Sequence, residues 1–292
     1  MVFSKQFSLF VVSLYRVYIG SIIMISINTN YGSMYAAKSA SSAQARMNVA
    51  MERLSSGLRI NSAKDDAAGQ GIAVRLTAEV KGLEMASRNA ADAQAMVDTA
   101  DGAYQEVSNM LLRMREMAVQ AANGTLSDAD RTALNTEMTA LENEITKIAG
   151  NTAFGGINLG TSSAITFQIG AGNTETLEHT FKNFDAASLS LTSSVATATQ
   201  AAGAISIVDA AISLVSTRRG ELGALSNRLS STIANLDNIA VNLSSARGRI
   251  QDTDFATETS NLAKSQIMQQ AATAMLAQAN ASKGTILTLI QA

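Results

Sequence analysis

Few side chains in this chain of 292 residues could do chemistry, and their spacing works against it. Asp65 and Asp66 are adjacent carboxylates, the residue type that moves protons or holds a hard divalent cation. Neighbours in sequence do not face each other on a helix, so the pair reads instead as first-turn acids behind Ser62 as N-cap. His179 is the sole histidine; with no second histidine and no cysteine it makes a poor metal site and a poor general base. Zero cysteine also removes thiolate nucleophiles, disulfides and sulfur-ligated zinc. Gly170-Ala171-Gly172 lacks the strand–helix unit that makes a glycine loop a phosphate cradle. The triplets at Asn123, Asn242 and Asn280 fit a glycosylation sequon but arise by chance too often to carry weight. No nucleophile–base pair, metal cluster or cofactor loop survives this reading, so no enzyme is expected.

Composition narrows the class further. A formal net charge of −2 lacks the basic excess of a nucleic-acid binder, and 4% aromatic residues are too few for base stacking. The absence of proline suits long unbroken helices, since an interior proline costs about 3 kcal/mol. Much of the 47% apolar content is alanine, which buries little area per residue, so alanine-rich helices need neighbours to complete a core.

The elements are set by heptads. Val208, Val215, Leu222, Leu229, Leu236, Leu243 and Ile250 recur every seventh residue, which keeps one apolar seam on one side of a helix and requires a helical partner. Gly220, Gly223 and Gly248 weaken this helix by about 1 kcal/mol each, whereas each large seam side chain contributes up to about 1.5–3 kcal/mol once covered. A second seam runs through Leu76, Leu83, Ala90, Val97, Tyr104, Leu111 and Ala118. An antiparallel pairing of the two, each roughly 70–80 Å long, covers both. Asn123-Gly124 breaks the second helix, and Ser127 caps a further helix over 128–149.

The ends and the middle differ from these seams. Residues 1–23 are apolar and aromatic with Lys5 and Arg16 as their only charges. They read as a signal, as a membrane anchor, or as an extension upstream of a true start at Met24, and the last is preferred. From Ser33 to Leu58 a helix carries Met34, Met47 and Met51 near one face, an adaptable surface for contact between copies. Residues 151–202 contain short alternating segments, 152–159 and 165–169, that read as hairpins, followed by a loop from Ser188 to Ala202. Asp252 or Thr253 caps a final helix that ends in an apolar tail, Ile286, Leu287, Leu289 and Ile290, for which a monomer offers no obvious cover. The expected fold is mainly α. Long antiparallel coiled-coil helices come from the N- and C-terminal thirds, with a small β-hairpin region between them. The expected divisions are an extension over 1–23, terminal helices over 24–64 and 251–292, a long bundle over 65–150 and 203–250, and a β-rich segment over 151–202.

Several motifs resemble one family. LSSGLRINSAKDDAAGQGIA, Leu54 to Ala73, resembles the N-terminal signature of bacterial flagellin, and Ile27-Asn28-Thr29-Asn30 resembles its opening residues. Asn151 to Gly160 is similar to the flagellin segment entering its β-region, and 246–256 and 279–289 resemble its C-terminal portion. One departure is Lys283-Gly284, where many members carry proline. The resemblance implies an extracellular flagellar filament subunit that assembles with itself. Its terminal helices would form the inner layer, with Leu76, Leu83, Val97, Leu111, the Val208–Ile250 heptad residues and Ile286, Leu287 and Leu289 as assembly seam. It implies as partners a flagellar export chaperone, the type III export apparatus, and hook-associated and cap proteins. It also implies an innate Toll-like receptor contact at Arg113, Met117 and Glu137, although Met117 stands where recognised members carry leucine. Two rival readings remain: a hook–filament junction protein, which usually has proline near Asp65-Asp66-Ala67, and a membrane-anchored coiled-coil signalling protein using 1–23.

Overall fold

The computed structural model describes residues 29–192 and 194–291, with side chains through Thr285. The 1–23 segment and the side chains of Ile286, Leu287, Leu289 and Ile290 lie outside what it describes. Two compact units form among the described residues: one joins residues 29–67 with residues 251–291, and the other runs from Ala68 to Ile250.

In the first unit, helix α1 (Tyr31–Ser56) starts where the Asn30 side chain accepts the Ser33 N–H at 3.1 Å. It stops at Gly57, whose φ of 73° is the left-handed conformation that frees the chain to turn, with its N–H donating to the Arg53 carbonyl. Gly57 and Leu58 then run antiparallel to Asp252 and Thr253: the Thr253 N–H donates to the Gly57 carbonyl and the Arg59 N–H to that of Gln251. Asp254, not Asp252 or Thr253, caps the last helix by accepting the N–H groups of Ala256 and Thr257 and the Thr257 hydroxyl. These bonds, led by the Thr257 hydroxyl, hold its carboxyl below the usual range. The Ser62 cap is corrected as well. The Asp65 carboxylate accepts the Asn61 and Ser62 N–H groups and the Ser62 hydroxyl, closing a turn of its own, and the next helix begins only at Ala67. A short acidic side chain competes well for nearby N–H groups, so both carboxylates precede the helix.

In the second unit, α2 (Ala67–Ala121) and α4 (Ala198–Gln251) are the two heptad helices, and α3 (Asp128–Asn151) packs beside them. The pairing of α2 with α4 is antiparallel, as three contacts along the helices show: Ser87 Oγ to Asp237, Gln94 Nε2 to Ser230 and Arg115 Nε to Asp209. Helix α3 starts with a reciprocal capping box between Ser127 and Asp130. The buried Arg131 ties its start to the end of α2, donating to the carbonyls of Ala121 and Asn123 and to Asp128. Met138 and Ile145 of α3 lie fully buried with Leu111, Met114 and Met117 of α2 and Val208, Val215 and Leu229 of α4.

The β-region is two hairpins. Strands β1 (Ala153–Phe154) and β2 (Ile157–Asn158) turn through Gly155 and Gly156, both at positive φ. Strands β3 (Ser163–Gln168) and β4 (Thr176–Phe181) pair from Ser163 with Phe181 to Gln168 with Thr176. Their Phe167, Leu177 and Phe181 join the helical core. The loop expected over 188–202 is shorter than its small polar composition implies. Leu189, Leu191 and Val195 are buried, and α4 is already helical from Ala198.

Candidate assembly interface

Helix α1 packs antiparallel against α5 (Phe255–Gln291). The pairing is marked by Asn30 Nδ2 donating to the Ala279 carbonyl, Gln269 bonding Gln44, and Arg53 reaching Glu258 at 3.8 Å. The inner face of α1 is Ala36, Ala43 and Ala50, one residue every seven, and Ala272 lies against it from α5. Alanine lets two helices approach closely but removes little apolar area from water. The large apolar side chains point the other way. Tyr35 is 77% exposed, Ile267 65% and Met275 64%, and Tyr31, Met34, Met51 and Phe255 are exposed with them. A groove of about 460 Å³, lined by Tyr35, Ala36, Met268, Ala272 and Met275, opens between the helices.

On the α1 face predicted for contact between copies, Met34 and Met51 are exposed and Met47 is half-buried, whereas the residues buried on this helix are the alanine heptad at 36, 43 and 50.

The heptad residues named as an assembly seam mostly serve another purpose. Leu83, Val97, Leu111, Val208, Val215, Leu222, Leu229 and Leu236 are buried inside the second unit, covered by α3, the β3–β4 hairpin and one another. They hold the subunit together and present nothing to a second copy. Leu76, Leu243 and Ile250, at the far end of the same seams, are only half-buried. The backbone of α5 stays helical past Ile286, Leu287 and Leu289.

The three receptor-contact residues separate. Arg113 and Glu137 stand together on the exposed faces of α2 and α3, with Arg113 Nε and Nη2 at 3.2 and 3.0 Å from Glu137 Oε1, and Nη1 at 3.2 Å from Glu116. The hydrogen bonds that Arg113 donates to Glu137, then to Glu116, raise the guanidinium pKa above its ordinary value. Met117 is 0% exposed, which corrects its place in this set: it fills the core between helices and offers a receptor no surface. His179 sits on β4, its ring edge-on to Phe181 at 4.9 Å between centroids, where burial pushes its pKa below 6.5.

Comparison with known proteins completes the assignment. Residues 27–161 match the family described as "Bacterial flagellin N-terminal helical region", and residues 205–290 match "Bacterial flagellin C-terminal helical region". A flagellin of Halalkalibacterium halodurans is 41% identical, covering 83% of this chain and 91% of its own. Flagellin A of Vibrio cholerae is 34% identical, covering 91% and 100%. Among solved structures, a putative flagellar hook-associated protein from Vibrio parahaemolyticus shares the fold, with a TM-score of 0.55, 15% identity, and coverage of 64% of this chain and 100% of that one. A mainly helical protein that pairs its N- and C-terminal helices is the architectural class; within it, this chain belongs to the bacterial flagellin family. That family is structural rather than enzymatic, and its members are subunits of the flagellar filament; the junction-protein and membrane-anchor readings are not favoured.

Proposed function

We propose that this subunit polymerises through the outward face of the α1–α5 pair, and that the second unit is a preformed body which the pair links into the filament. One observation carries this: the buried residues of the pair are small or polar (Ala36, Ala43, Ala50, Glu258, Ser265 and Ala272), while tyrosine, methionine, phenylalanine and isoleucine side chains stand exposed. Each such side chain contributes up to about 1.5–3 kcal/mol when a neighbouring copy covers it. Ile286, Leu287 and Leu289 extend α5 with more of the same chemistry. Before assembly the pair lacks that burial and is held weakly, so ordering and polymerisation are linked. The same uncovered C-terminal helix suits capture by an export chaperone before passage, unfolded, through the type III apparatus to the cell exterior. Hook-associated and cap proteins then meet the copies at the two filament ends. Arg113 and Glu137, exposed and adjacent, suit contact with an innate receptor.

The test deletes Ile286–Ala292. Purified full-length protein forms long uniform filaments by negative-stain electron microscopy after a precipitating salt is added. The truncated protein stays monomeric yet keeps the thermal transition of the second unit. Normal filaments from the truncated protein overturn the proposal.

A further inference from the structure

The α1–α5 pair carries a second groove, of different chemistry, at its Gly57 end. It measures about 540 Å³ and is lined by Ala45, Arg46, Val49 and Arg53 from α1 and by Glu258, Asn261, Lys264, Ser265 and Met268 from α5. Three cations therefore meet one carboxylate, and that carboxylate is already engaged: Glu258, 7% exposed, lies 3.8 Å from Arg53 and accepts from Asn261. Among the described residues Arg46 and Lys264 form no ion pair, and both stand exposed at the groove.

The charge of the whole chain is divided in the same sense. Helices α1 and α5 together hold five basic residues (Lys38, Arg46, Arg53, Lys264 and Lys283) and two acidic ones (Glu52 and Glu258), a formal +3. Residues 57–254 hold 15 basic and 22 acidic residues, a formal −7. Helix pairs brought together in a polymer repel one another through this excess unless acidic groups from elsewhere enter. Apolar contact alone leaves Arg46 and Lys264 desolvated without partners, which is costly.

We infer that the Arg46–Arg53–Lys264 groove receives carboxylate side chains from residues 57–254 of a second copy of this chain. This rests on the assembly reading above and names a contact within it: the acidic body of one subunit docks on the basic helix pair of another. Apolar burial holds the polymer, and this groove orients the incoming copy and speeds its capture.

The experiment uses the full chain and fragments of its own filaments as seeds. Growth is followed by light scattering for wild type and for the double variants Arg46→Gln/Lys264→Gln and Arg46→Glu/Lys264→Glu. Both positions are exposed, so the fold is retained. The Glu variant is expected to grow about tenfold slower at low salt, the Gln variant less so, with the gap to wild type closing as NaCl screens the groove. In filaments mixed from isotope-labelled and unlabelled protein, carbodiimide then joins Lys264 of one copy to an aspartate or glutamate within 57–254 of another, as read by mass spectrometry. Filaments that grow equally fast in all three proteins, or that join Lys264 only to Glu52 or to nothing, overturn the inference and leave the assembly reading standing. Wild-type protein that forms no filaments overturns the assembly reading itself.

Discussion

The two units of this chain use long helices in opposite ways. In the second unit, large side chains turn inward. Phe181, Phe184, Leu111, Met114, Met117, Leu191 and Leu229 are all essentially unexposed, and a hairpin and a third helix close the remaining side. In the first, the buried residues of α1 are Ala36, Ala43 and Ala50, and the large side chains of both helices face out. One is a finished core. The other leaves its large apolar side chains uncovered, which is the face proposed for contact with other copies. On the proposed function, the contrast supplies both a part that packs within the subunit and a part that is completed by other copies.

Four substitutions probe that contrast. The largest effect is expected from Phe184→Ala, because Phe184 is fully buried with its ring 4.5 Å from that of Tyr104. Loss of that packing should destabilise the second unit by about 3–5 kcal/mol in urea unfolding followed by circular dichroism. A cost near zero would mean that this core is not the finished one. Ala43→Leu forces a large side chain into the buried face of α1, where Ala43 is 0% exposed. Overpacking costs about 1–3 kcal/mol, and it should fall on filament formation while the unfolding midpoint of the second unit is unchanged. Midpoint and assembly falling together would erase the distinction between the units. Gly57→Ala places a Cβ at φ 73°, with no neighbouring atom within 4 Å to clash. The cost is backbone strain alone, about 1–2 kcal/mol, and should appear as faster hydrogen exchange in α1.

The smallest effect concerns pH. Burial holds the His179 pKa below 6.5, with Lys182 acting in the same direction and Glu221 opposing it. A histidine whose folded value is depressed favours the folded state while neutral. Its contribution is present above pH 6.5 and is lost as pH falls through the folded value, because the unfolded chain then binds the proton more readily. The second unit of wild type should therefore lose slightly more stability between pH 7 and pH 5 than that of His179→Gln. Equal losses would place the imidazole in water rather than against Phe181.

Much of this arrangement was legible in the residues before any coordinates. The uninterrupted heptad from Val208, the Ser127 cap and the break at Asn123-Gly124 each follow from local rules, and each stands as read. The errors share a cause. Ser62 caps no helix because the Asp65 carboxylate takes its hydroxyl and N–H and closes a turn there, and spacing does not rank a turn against a cap. Met117 was placed on the surface because one helix has several faces and a motif does not say which face another helix covers. The 188–202 loop was read from small polar residues, while three scattered apolar ones, Leu189, Leu191 and Val195, found cover from elements distant in sequence.

Periodicity, capping and the lack of proline thus determined by themselves that this chain makes long helices and pairs them, and zero cysteine that it carries no thiolate. These are local properties, carried by the backbone and by neighbours within a few turns. Which seams close inside the subunit and which stay open was decided only by the tertiary structure. A heptad records that a face is apolar, and only packing in three dimensions shows what, if anything, lies against it.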